Sequence, residues 1–160
     1  MHIRIMKTRI LLAAVTLGLI TVANTATAQS TASHDVTIAV TAIDEIVVSG
    51  NVTLTINSIT LSESASANYG ITTNGVARKI VASLDSDYSP TLALDVSVSA
   101  PTAAGTSTGA ITLSSAAQDV VTGISAVAES GLAIDYTATA LPSTPASTSE
   151  TRTVTYTITS

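Results

Sequence analysis

The sequence predicts an all-β protein: a single Greek-key, immunoglobulin-like β-sandwich behind an N-terminal signal peptide. Three observations predict it. Apolar and polar residues alternate at period two in one segment after another. Gly, Asn, Asp and Pro punctuate those segments at short intervals. No long segment carries the spacing of three and four that an amphipathic helix needs.

The first 28 residues read as a secretory signal. Arg4, Lys7 and Arg9 form a positive start, residues 10–23 are almost wholly apolar, and Ala26-Thr27-Ala28 is a small-residue cleavage site before Gln29. The competing reading is an uncleaved anchor, for which the apolar run is short. With no Cys in the chain, a lipid-bearing signal is excluded. Cleavage after Ala28 leaves 132 residues, enough for one ordinary domain. No internal repeat and no second domain is evident.

Val36, Ile38 and Val40 share one face, with Thr37, Ala39 and Thr41 opposite, so residues 36–42 read as a strand. Val52, Leu54 and Ile56 alternate with Thr53 and Thr55. Leu92, Leu94, Val96 and Val98 alternate with Ala93, Asp95 and Ser97. Leu132, Ile134 and Tyr136 alternate with Ala133 and Asp135. Val154, Tyr156 and Ile158 alternate with Thr residues, in a strand running to within one residue of the end. Branching at Cβ suits Thr, Val and Ile to a pleated surface.

Turn residues separate these runs. Asn74-Gly75 predicts a hairpin, because both residues tolerate positive φ. Ser49-Gly50-Asn51, Asp85-Ser86-Asp87, Ser89-Pro90 and Glu129-Ser130-Gly131 predict further breaks. Residues 101–109 form a loop of small residues, and residues 141–150, with Pro142 and Pro145, an extended connection. Residues 114–128 hold two short strands or a helical turn. Connections of this length favour a Greek key over a meander. Tyr136 and Tyr156 fall on inward faces; Tyr69 and Tyr88 lie near turns, where exposure is expected.

Charge bounds the partners. Arg4, Lys7 and Arg9 leave with the signal while all eleven acidic residues stay, so the net charge moves from −5 to −8. That surface repels nucleic acid and anionic lipid, and the expected partners include no nucleic acid and no membrane insertion after cleavage. The only basic pair, Arg78-Lys79, reads as a solvated edge or an ion pair with a nearby Asp. Docking on an acidic neighbouring subunit is its functional alternative.

Catalytic chemistry finds little to work with. Nucleophilic catalysis needs a base, and the one His left after cleavage, His34, sits six residues from the new N-terminus. No Cys or His cluster suits zinc. Asp85 and Asp87, with Ser86 and Ser89, are the best calcium candidates, although their ordinary reading is an Asp-capped turn. Asp44-Glu45 is a second acidic pair. Glycoside hydrolysis needs a carved cleft and stacking aromatics, for which four Tyr and no Trp or Phe are a poor supply. Asn51-Val52-Thr53 fits a glycosylation acceptor. The expectation is a protein without cofactor, resident metal or enzymatic activity.

The signal peptide, the Thr/Ala/Val-rich sandwich and an alternating strand at each end together resemble secreted β-sandwich fibre subunits of pilin or biofilm-matrix type. The resemblance implies an extracellular structural subunit whose partner is itself, as a homopolymer built by strand exchange at the cell surface. Residues 29–42 are the candidate donated strand, and Val36, Ile38 and Val40 the side chains that fill the recipient's pockets. Asp44-Glu45 marks the bend between that strand and the body. The runner-up is a monomeric secreted adhesion or ligand-binding module using loops such as 101–109. In it, both terminal strands pair inside their own sandwich.

Overall fold

The computed structural model describes residues 30–57, 59–146 and 148–160. The signal peptide expected over residues 1–28 lies outside the described residues. The chain divides into two units, Met1–Ile38 and Ala39–Ser160. In the first unit the described residues, 30–38, are exposed and carry no regular structure.

The second unit holds nine strands: β1 (Asp44–Val48), β2 (Ser62–Thr73), β3 (Arg78–Leu84), β4 (Leu92–Val98), β5 (Thr106–Ser107), β6 (Ile111–Thr112), β7 (Gln118–Ile124), β8 (Val127–Ala140) and β9 (Val154–Thr159). They form two antiparallel sheets, ordered β1-β2-β8-β4-β6 and β5-β7-β3-β9. No described residue is helical. One core lies between the sheets. Tyr69, Ile71, Val96, Val98 and Ile134 enter it from the first, and Ile80, Ala82, Val120, Val121 and Ile124 from the second. The alternation of the sequence becomes the alternation of burial: β3 and β4 bury every second side chain. The all-β, two-sheet reading therefore holds, and β4 spans the residues read for it. Residues 114–128 supply β7 and the first residues of β8.

Four expectations need correction. The Asn74-Gly75 turn closes no hairpin, because β2 and β3 belong to different sheets. The positive φ in this connection falls on Ala77, at 54°. Glu129-Ser130-Gly131 is not a turn but lies inside β8. There the register against β2 slips between Tyr69 and Ile71, and Gly131 takes a φ of 77°. A bulge with a left-handed glycine uses the same residue that many tight turns do, so the two look alike in sequence. Residues 36–42 belong to no ladder and are exposed throughout. Residues 52–56 also join no ladder, yet Val52, Leu54 and Ile56 are half-buried while Thr53 and Thr55 are exposed. The pleat is present there without a paired strand.

At one side of the sandwich β1 and β9, the edge strands of the two sheets, lie against each other. No ladder joins them.

Candidate functional site

The residues expected to act in assembly stand unpaired. Val36, Ile38 and Val40 are 71%, 85% and 79% exposed. Just beyond them the chain is fixed. The Asn74 side chain donates to the Thr41 carbonyl (2.7 Å) and accepts from the Ile43 N–H (2.9 Å), while the Asn74 N–H donates to the Ile43 carbonyl (3.2 Å). Asn74 has this role because it sits where the chain crosses between sheets, facing the start of β1.

Asp44, the first residue of β1, completes the anchor. Its carboxylate takes the Arg78 guanidinium at 2.9 Å on one oxygen and the Thr73 hydroxyl at 2.6 Å on the other. The Gly75 N–H donates to that same hydroxyl (3.0 Å). A Cβ at Gly75 would come within 2.4 Å of Arg78 Nε, so any other residue there would displace the Arg78 side chain. That Nε is buried and bonds nothing among the described residues. Lys79 pairs with Asp119 at 3.0 Å. Both members of the basic pair are thus engaged within the domain, on a strand flanked on both sides.

The other edge is β9. Its inward residues Val154, Tyr156 and Ile158 are only half-buried, with Thr155 and Thr157 exposed opposite. Tyr156 reaches across the sandwich to Tyr136 on β8, hydroxyl to hydroxyl at 2.8 Å. Burial pushes both phenols above the ordinary tyrosine range; the bond between them adds to the rise at Tyr156 and opposes it at Tyr136.

Asp85 and Asp87 serve backbone amides. One Asp85 oxygen accepts from the Ser86 and Thr153 N–H groups, at 2.9 and 3.1 Å, and Asp87 accepts from the Ser115 N–H. Among the described residues, no group of three or more acidic, His or Cys side chains is placed to hold a metal. This turn belongs to a clip that the sequence did not reveal. Ser89 donates twice to Glu150, and Arg152 pairs with Glu150 at 2.6 Å. Arg152 also bonds the Asp87 carbonyl and lies over the Tyr88 ring, 5.2 Å from its centroid. The Ser89 bonds, with Arg152, hold the Glu150 carboxyl below its usual range. More than sixty residues separate the two halves of this clip, so no local pattern announces it.

Tyr69 departs from expectation. It is 2% exposed, and its hydroxyl donates to the Ser99 carbonyl. Burial, helped by the negative charge of Glu129, pushes its pKa up to about 12. Tyr88 is half-buried, with Arg152 over one face of its ring. His34 is exposed. Loop 101–109 is tied down, with the Thr102 N–H and hydroxyl both donating to Glu129 (2.8 and 2.9 Å). A shallow open cleft of about 370 Å³ lies over the β2–β8 bulge, lined by Glu45, Val47, Gly70, Glu129 and Gly131 among others. No described helix is long and apolar enough to cross a membrane.

The fold and these features define the class: an all-β sandwich with an exposed apolar N-terminal segment and an open sheet edge. No family model, curated protein or solved structure matches the chain.

Proposed function

We propose that this chain is a non-enzymatic structural subunit of an extracellular filament or surface assembly, polymerising when residues 29–42 of one copy add a strand to the next. One observation carries the reading. Val36, Ile38 and Val40 present an uncharged, alternating apolar face to solvent, in a segment of strand-favouring residues that joins no ladder among the described residues. Such a segment gains most by joining a sheet, where backbone bonds supply affinity and alternate side chains fill pockets. A head-to-tail contact of this kind does not close on itself and builds a fibre.

Secretion and cell-surface location rest on the signal-like residues 1–28. The Greek-key, immunoglobulin-like description is part of the same proposal. It is supported by β8 returning between β2 and β4, and by β9 crossing to pair with β3. No cofactor enters the proposal, and its partner is a second copy of the chain.

Negative-stain microscopy of residues 29–160 tests it. Filaments are expected from that chain. None are expected when residues 29–42 are removed, or when Val36, Ile38 and Val40 are all changed to Asp in the intact mature chain. Compact single particles from the unchanged chain at high concentration would sink the reading and turn attention to the cleft over the β2–β8 bulge as a ligand site.

A further inference from the structure

Resting on the strand-donation reading, we infer that the acceptor is the outer edge of β9, which receives residues 36–41 of a second copy. The inference comes from comparing the four edge strands. A sheet edge displays unpaired N–H and C=O groups, and proteins blunt that hazard with short strands, charges, Pro or bulges. β5 and β6 are two residues long. β1 opens with Asp44 and Glu45. β9, Val-Thr-Tyr-Thr-Ile-Thr, has six residues and none of these devices: no charge, no Pro, no Gly and an unbroken register with β3.

The outer backbone of β9 is also unused. β1 lies against it without a ladder, and among the described residues no hydrogen bond reaches the β9 backbone from that side. In an antiparallel pair, half of a strand's backbone groups point away from its partner. β9 therefore offers a full row of them. Strand addition there parts β9 from β1, which no hydrogen-bonded pairing opposes.

Side-chain chemistry matches on both faces. Val154, Tyr156 and Ile158 point inward but remain half-buried, and β1, which lies beside them, joins β9 by no ladder. Val36, Ile38 and Val40 have the same period and the same need for cover. Placing these three inward leaves Thr37, Ala39 and Thr41 beside Thr155 and Thr157, all exposed now. No charge opposes another, since residues 36–42 carry none.

The face is fixed by parity, because a slip of one residue would turn Val36, Ile38 and Val40 out to water. Parity makes the inference testable with the full mature chain, which has no Cys of its own. Ala39→Cys combined with Thr155→Cys or Thr157→Cys places thiols on one face of neighbouring strands, where Cβ atoms lie about 5 Å apart. Mild oxidation of filaments is expected to give a ladder of covalent multimers from at least one of these pairs. Val40→Cys with either partner is expected to give at least tenfold less. Glu45→Cys on β1 and Thr112→Cys on β6, each combined with Ala39→Cys, report on the other edges.

Filaments that cross-link through Glu45→Cys or Thr112→Cys, and not through β9, would overturn the β9 assignment while leaving strand donation standing. A disulfide that closes within one chain would overturn it too, since the donor would then be the molecule's own segment. Failure of the unchanged chain to form filaments would instead remove the donation reading itself. Thr155→Lys with Thr157→Lys supplies the edge protection that β9 lacks. It is expected to abolish filaments with little change in the melting temperature of the monomer; unchanged filaments would count against β9.

Discussion

Residues 36–42 and β9 are written in nearly the same language and meet opposite fates. Both are uncharged and alternate larger, mostly apolar residues with small or hydroxylated ones. β9 pairs along its length with β3 and half-buries Val154, Tyr156 and Ile158. Residues 36–42 join no ladder among the described residues, and Val36, Ile38 and Val40 are exposed. Alternation states that a segment can be a strand. Whether it becomes one depends on an available edge, and that is set by the rest of the chain. Residues 52–56 fall between the two, with alternate burial but no ladder.

The largest effect that sharpens this comparison comes from a third alternating segment, β8. Ile134 is fully buried at the centre of the five-stranded sheet. Ile134→Ala removes contacts on every side and leaves a cavity, so it should cost about 2–5 kcal/mol of stability. Urea unfolding of the monomer measures it. A loss well under about 1 kcal/mol would mean that the shared core is not packed as described.

A titration gives the next effect. Tyr69 sits on the face of β2 buried by the two sheets, and its pKa is pushed up to about 12 from an ordinary 10.0. The folded state therefore prefers the protonated phenol. This contribution is complete below pH 10 and is lost as pH rises from 10 towards 12. Two units correspond to at most about 3 kcal/mol. Tyr69→Phe should flatten the fall in stability across that window, at the cost of the hydrogen bond to Ser99. A fall of the same steepness in Tyr69→Phe would place its cause elsewhere.

These buried positions also show how far the sequence could be read. β4, β9 and residues 132–136 of β8 were legible because each has one face in the core, and period two is the direct record of that burial. Tyr136 and Tyr156 were placed inward by the same rule, and their hydroxyls meet between the sheets. Where reading failed, the local signal had two meanings. Asn74-Gly75 suits a hairpin, but here the chain changes sheets and Asn74 holds Thr41 and Ile43 instead. Gly131 supplies a positive φ to a bulge rather than a turn. Tyr69 lies close to a predicted turn in sequence and yet is buried, because β2 runs on past that point to Thr73. The Glu150–Arg152–Tyr88 clip could not be foreseen, since its members meet only after the sandwich forms. Of the proposed assembly site, the segment offered as donor was legible as an alternating face without a charge. The acceptor edge was not, because edges are a property of strand order, and order is absent from any local window.

The smallest expected effect bears most directly on the contrast between the two ends. Ile38→Ala deletes the same atoms as Ile134→Ala, from a side chain 85% exposed. In the monomer it should change stability by no more than about 0.5 kcal/mol, as surface substitutions generally do. Ile158→Ala on β9 should fall between the two, because Ile158 is half-buried on an edge strand. In the filament the ranking changes. If Ile38 enters a neighbour's core beside Ile158, both residues become buried there, and both substitutions should raise the protein concentration needed for assembly, by comparable factors. Critical concentrations measured by sedimentation for the two variants and their combination test this. Adjacent residues couple, so the double variant should shift assembly by less or more than the sum of the single shifts. Strict additivity would separate Ile38 from β9, and an Ile38 variant that assembles normally would leave the exposed face of the N-terminal segment without a part in the fibre.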